Sequence, residues 1–161
     1  MRQPVCILLS LLIWLLVTWP TGWVEFGVGV FFSILVATLL SELYPEDPRA
    51  LFDPRRWFWA AIYVPCFLYY CFKANLDVAY RVLHVDLPIR PGIVHVPTTL
   101  QSDWAKAFLA ASITLTPGTL VVDIDGPDLY VHWINVPPDV HGPQTRAIAA
   151  RFEPLLRRIF E

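Results

Sequence analysis

Two stretches near the N-terminus, PVCILLSLLIWLLVTW at residues 4–19 and VGVFFSILVATLLS at residues 28–41, decide how the rest of the chain is read. Neither has an ionisable group in its interior, and Glu25 stands only between them. A helix rises about 1.5 Å per residue and the hydrocarbon core of a bilayer is about 30 Å thick, so a span needs about 20 mostly apolar residues. Extended to roughly 4–21 and 24–41, both runs reach, and they are predicted to form a two-span hairpin turning at Pro20-Thr21-Gly22. A secretory signal would also begin with a basic residue, here Arg2, and an apolar core. Thr18-Trp19-Pro20-Thr21-Gly22 lacks the small-x-small cleavage pattern, however, and a second apolar run follows at once, so the hairpin is read as uncleaved. Ion pathways through lipid are built from intramembrane Asp, Glu, Lys or His. Without them these spans read as anchor and packing surface.

Composition agrees with a membrane protein. Of 161 residues 56% are hydrophobic and 16% charged, the mean hydropathy is +0.51, and the apolar excess lies before residue 73. A net charge of −2 and the lack of a basic stripe give no case for a nucleic-acid partner. Cys6, Cys66 and Cys71 sit in apolar segments without metal-ligand spacing, and an odd number argues against a disulfide framework.

Gly29, Ser33, Ala37 and Ser41 recur every four residues and so share one helix face. Small residues in register let a second helix approach closely in lipid. That helix is expected in a partner protein of the same complex, the first span being the other option. Residues 42–56 (ELYPEDPRALFDPRR) form a polar loop whose prolines forbid a continuous helix. The aromatic-rich segment 57–72 (WFWAAIYVPCFLYYCF) is short for a span and contains Pro65, where a kink is expected; Lys73, Asp77 and Arg81 continue its helical period. Cations favour the cytoplasmic side. Two spans with the N-terminus inside keep Arg2, Arg49, Arg55, Arg56, Lys73 and Arg81 there, so 57–83 is predicted to be interfacial or partly embedded.

From His84 the chain reads as a small α+β module. Residues 93–96 suggest a strand, and Ser102 or Asp103 an N-cap for a helix to about Ser112. Pro117-Gly118 is a turn signal, with Pro suited to the first central position and Gly to a second at φ > 0. Residues 119–124 and 129–136 should pair as an antiparallel hairpin about Asp125–Asp128, and a closing helix from Pro143 should bend at Pro154. The predicted fold is therefore a membrane hairpin (1–41), a polar loop with a membrane-associated helix (42–83), and a cytoplasmic β-α-β-β-α domain (84–161).

Catalytic signals are weak. His84, His95, His132 and His141 stand singly without zinc-motif spacing. Asp123, Asp125 and Asp128 cluster at a turn but lack the spacing and terminal Glu of a calcium loop, which leaves turn formation as their reading. Thr116-Pro117-Gly118-Thr119 has one Gly and no phosphate-loop ending, and no nucleophile elbow is present. No enzyme activity, cofactor or metal is expected.

The stretch ITLTPGTLVVDI (113–124), preceded by PGIVHVPTTLQSDWAKAFLAAS and followed by LYVHWINV, resembles the signature of the E component of multisubunit Na+/H+ antiporters of the Mrp or Mnh type and their K+/H+ relatives. Thr114, Thr116, Pro117, Gly118, Thr119 and Asp123 match the motif, which looks architectural. The resemblance implies an accessory or assembly subunit of a monovalent cation/proton antiporter in the cell membrane. It would be partnered by large antiporter-like membrane subunits and lipid, with its C-terminal domain cytoplasmic. The alternative is a membrane-tethered regulatory module that binds a small molecule or senses cytoplasmic pH.

Overall fold

The computed structural model describes residues 2–18, 22–39, 53–137 and 143–161. The chain divides into two compact units, Met1–Asp53 and Pro54–Glu161.

In the first unit α1 (Arg2–Thr18) packs on α2 (Trp23–Leu39). Gly29, Ser33 and Ala37 are the buried residues of α2. The Trp14 indole of α1 lies so close over Gly29 that an added Cβ would collide with it, and the same ring stacks on Phe32 at 6.3 Å. The small-residue face is thus occupied by the chain's own first helix, where a helix of another protein was expected; Ser41 lies outside the described residues. The physical reason is local: without a side chain at Gly29, a large flat ring reaches the backbone and gains dispersion contacts. Leu12, Leu16, Val24, Phe31 and Leu39 point outward, so the exposed surface of the two helices is largely apolar. Each helix has 17 residues, about 26 Å of rise. Among the described residues no helix is long and apolar enough to cross a membrane.

The second unit begins with α3 (Pro54–Leu83), a 30-residue helix that runs unbroken through Pro65. Then follow β1 (Gly92–Pro97), α4 (Asp103–Leu115), β2 (Thr119–Asp125), β3 (Asp128–Trp133), α5 (Pro143–Ala150) and α6 (Glu153–Phe160). The strands form an antiparallel sheet in the order β1-β3-β2. Alternation places Val94 and Val96 opposite Val131 and Leu129, and all four side chains are buried with Leu109, Ile113, Phe152 and Leu156 from the helices. Ser102 caps α4, as its position ahead of the apolar period predicted.

The closing segment is two helices, not one bent helix, so the module reads β-α-β-β-α-α. Pro154 has no N–H to give, and its ring would clash with the carbonyl four residues back, so a continuous helix through it would be costly, and unlike Pro65 in α3 it stands where one helix ends and another begins. It is accepted in the first turn of α6, with Phe152 as N-cap. The 57–72 segment is likewise more than a membrane-facing stretch. Tyr63, Phe67 and Tyr70 lie along one face of α3 against the buried core, and the Tyr63 hydroxyl hydrogen-bonds with Ser112 Oγ. Trp57, Phe58, Val64, Leu68, Phe72, Leu76, Tyr80 and Leu83 are exposed on the other side.

A carboxylate that the sequence reading missed organises the loop from β1 to α4. Glu153 Oε1 accepts from Thr99 N at 2.6 Å, Thr99 Oγ1 at 2.5 Å and Thr98 Oγ1 at 3.0 Å. Glu161 Oε1 accepts from the backbone N–H groups of Gln101 and Ser102 at 2.5 and 3.0 Å. Burial acts to raise the Glu153 pKa, but the hydrogen bonds from Thr99 and Thr98, with Arg157 nearby, outweigh it and hold the carboxyl below its ordinary value.

Substitution at the turn and at the carboxylate should each have a measurable cost. Gly118, at φ +89 in the second central position of the 116–119 turn, has Ile134 Cγ2 3.0 Å from an added Cβ. Gly118→Val should therefore cost about 1–3 kcal/mol, read as a lowered melting temperature; wild-type melting would contradict the strain. Glu153→Ala should cost about 2–3 kcal/mol at neutral pH, the scale of buried charge-assisted hydrogen bonds. With its folded pKa lowered, Glu153 contributes fully above the ordinary carboxyl pKa, and the contribution fades as pH falls through the folded value. The gap in melting temperature between wild type and variant should thus narrow on acidification; a gap independent of pH would rule out the ionised carboxylate as its source.

Candidate functional site

The motif residues gather where α4 gives way to β2. Thr116 N–H donates to the carbonyls of Ser112 and Ile113, each at 3.2 Å, and Thr119 N–H closes the turn on Thr116 O at 3.3 Å. The hydroxyl of Thr116 donates to Ser112 O at 2.7 Å and that of Thr119 to Ile113 O at 2.6 Å. Carbonyls left open at a helix C-terminus need such donors. Thr114 Oγ1 accepts from Val121 N at 3.2 Å, and Gly118 O accepts from Ile134 N at 2.9 Å, tying the turn to β2 and to the end of β3. Thr114, Thr116, Pro117, Gly118 and Thr119 therefore form one cap.

Asp123 stands apart from it. It follows an irregularity in the β2–β3 register, is exposed, and accepts from Ile124 N at 2.9 Å. Asp128 meets His95 Nε2 at 2.9 Å across β1 and β3, and Tyr80 lies against His84 with ring centroids 5.4 Å apart. His132 is half-buried on β3, and His141 lies outside the described residues.

The cap forms one wall of a cleft of about 320 Å³. Tyr70, Lys73, Ala74 and Asp77 of α3 also line it, with Ile113, Thr116, Pro117, Thr119, Trp133, Ile148, Arg151 and Phe152. Arg81 grips Asp77 with two nitrogens, Nε to Oδ2 at 2.8 Å and Nη2 to Oδ1 at 3.0 Å. This pairing raises the Arg81 pKa further above its already high value. Arg151 stands 5.5 Å over the Tyr70 ring, a cation–π distance. Tyr70, Lys73 and Arg151 were missed as site residues because 78 positions (151 − 73) separate the two cations in sequence. The one available signal was the Lys73–Asp77–Arg81 helical period leaving the apolar segment.

The chain matches the profile of the Na+/H+ ion antiporter subunit family over residues 7–159. It is 38% identical over 134 residues to the E component of the Na+/H+ antiporter of Alkalihalophilus pseudofirmus, covering 78% of this chain and 82% of that one. Against the E1 component of the Na+/H+ antiporter of Staphylococcus epidermidis the identity is 30% over 156 residues, covering 96% and 94% of the two chains. A chain in the structure of the membrane-bound sulfane sulfur reductase, an archaeal respiratory membrane complex, is 40% identical and superposes with a TM-score of 0.80 over 99% of both chains. The span of the match takes in most of the first apolar run, all of the second, α3 and nearly all of the α+β module, and this chain belongs to the Na+/H+ ion antiporter subunit family.

Proposed function

We propose that this chain is an accessory and assembly subunit of a multisubunit monovalent cation/proton antiporter unit, and not its ion-conducting chain or an enzyme. The observation that carries this reading is the chemistry of the hairpin. From Pro4 to Thr18 α1 has no ionisable side chain but the Cys6 thiol, and the only acid of α2 is Glu25 in its first turn. A proton or cation path needs titratable or coordinating groups in the membrane, and beyond the first turn of α2 these helices offer lipid or a neighbouring helix a largely apolar surface without a charge.

The hairpin crosses the membrane in this proposal, and the α+β unit stands on the cytoplasmic side. Helices apolar on every side belong in lipid or a protein interior, which supports the spans. So does the sequence, whose uncharged runs extend beyond the two described helices, to residues 21 and 41. The exposed aromatic side of α3, with Arg55 and Arg56 at its start, supports an interfacial position for that helix. The 40% identity to a chain of an archaeal respiratory complex favours a second host: an antiporter-like unit built into a respiratory assembly.

Purification of the tagged chain in mild detergent distinguishes the hosts. Recovery with large antiporter-like membrane proteins alone supports a dedicated antiporter, and additional redox subunits support the respiratory host. Recovery of the chain alone, with unaltered antiport in a deletion strain, would sink the assembly role. Orientation is checked by labelling single cysteines in a cysteine-free background. A cysteine at Gly22 should react from outside, and one at Gln101 only after permeabilisation; the reverse pattern would refute the topology.

A further inference from the structure

The cleft beside the threonine cap has a chemistry that an assembly role leaves unused. Its lining is partly apolar and aromatic, with Tyr70, Ile113, Trp133 and Phe152, while Lys73 and Arg151 supply cations. Asp77 is its only carboxylate among the described lining residues, and both of its oxygens are taken by Arg81. The hydroxyls of Thr116 and Thr119 donate inward to backbone carbonyls, so they offer a ligand no proton. Among the described residues Lys73 has no ion pair, and Arg151 is held over Tyr70 without a carboxylate partner. Two cations that form no ion pair among the described residues therefore border a largely apolar recess of about 320 Å³, near the lower end of the ~300–1,000 Å³ typical of small-molecule sites.

We propose that this cleft binds a phosphate-bearing amphiphile, with the phosphate held by Lys73 and Arg151 and the apolar portion laid against Trp133 and Ile113. Arg and Lys are the usual phosphate partners, and a guanidinium resting on an aromatic ring is already oriented for the contact. An acidic phospholipid and a soluble nucleotide both present this chemistry. Position favours the lipid. Tyr69 and Leu76, four residues before and three after Lys73 on α3, are exposed, so Lys73 borders the outward apolar face as well as the cleft. The preference for lipid rests on the interfacial reading of α3; the phosphate chemistry does not.

The test uses the purified full chain in mild detergent, titrated with short-chain phosphatidylglycerol, short-chain phosphatidylcholine and AMP, with bound ligand counted by native mass spectrometry. Wild type is compared with Lys73→Gln/Arg151→Gln and with Lys106→Gln/Arg146→Gln, which removes the same charge outside the cleft. Ala74→Trp narrows the recess without altering charge. Phosphatidylglycerol should bind more tightly than phosphatidylcholine. Its affinity should fall about ten-fold or more in the cleft variants, the scale of a lost charge-assisted contact, and stay unchanged in the control. AMP binding with the same dependence on the variants, in the absence of lipid binding, would support the phosphate site with a soluble ligand. Equal loss in the cleft and control variants, or no loss in either, would overturn the proposal. If the double variant does not fold, Lys73→Gln alone decides, since that side chain is exposed and makes no ion pair among the described residues.

Discussion

Phe152 lies at the joint between α5 and α6, 1% exposed, with Tyr63, Phe67 and Tyr70 of α3 around it at centroid distances of 6.3, 6.1 and 5.5 Å. Each well-oriented aromatic pair contributes about 0.5–1.5 kcal/mol beyond its area burial. This cluster makes α3 part of the α+β unit. It also explains where the helix pair breaks, because Phe152 fills the core from the cap position while Pro154 begins the next helix. Tyr70 and Phe152 then reappear in the lining of the cleft, so the contact that holds α3 in place also shapes the recess beside it.

The threonine cap is the second constraint. A helix ending on a buried turn leaves carbonyls that must find donors, and Thr116 and Thr119 supply them. Gly118 completes the turn because its φ is positive and Ile134 approaches closely. The threonine, proline and glycine positions of the motif are thereby accounted for by backbone satisfaction, Asp123 excepted, while Lys73 and Arg151 come from outside it.

Membership of an ion-antiporter subunit family sits beside a chain whose apolar helices contain almost nothing ionisable. The hairpin uses its small residues on itself, Gly29 under Trp14, and leaves a largely apolar exterior with Glu25 at the start of α2. On α3 the opposite division holds, with aromatic rings on both sides and charges confined to Arg55, Arg56, Lys73, Asp77 and Arg81. One aromatic side is satisfied by the core and the other is exposed. Composition cannot separate the two, since a Tyr packed on Phe152 and a Tyr facing outward are the same letter.

Local rules were sufficient for the parts of this chain whose causes are local. The apolar runs, the Ser102 cap, the Pro117-Gly118 turn, the β2–β3 hairpin and the family motif were all legible in sequence, because each depends on residues within one or two turns of one another. The same rules overextended the last helix, since Pro154 signalled a disturbance but not whether the chain would bend or restart. Burial of Phe152 settled that. Tertiary structure alone placed Trp14 over Gly29, drew Thr98 and Thr99 to Glu153, and brought Lys73 and Arg151 to one cleft. These are pairings between residues distant in sequence, and their partners are decided by which surfaces meet once the core has formed, a choice that no local spacing encodes.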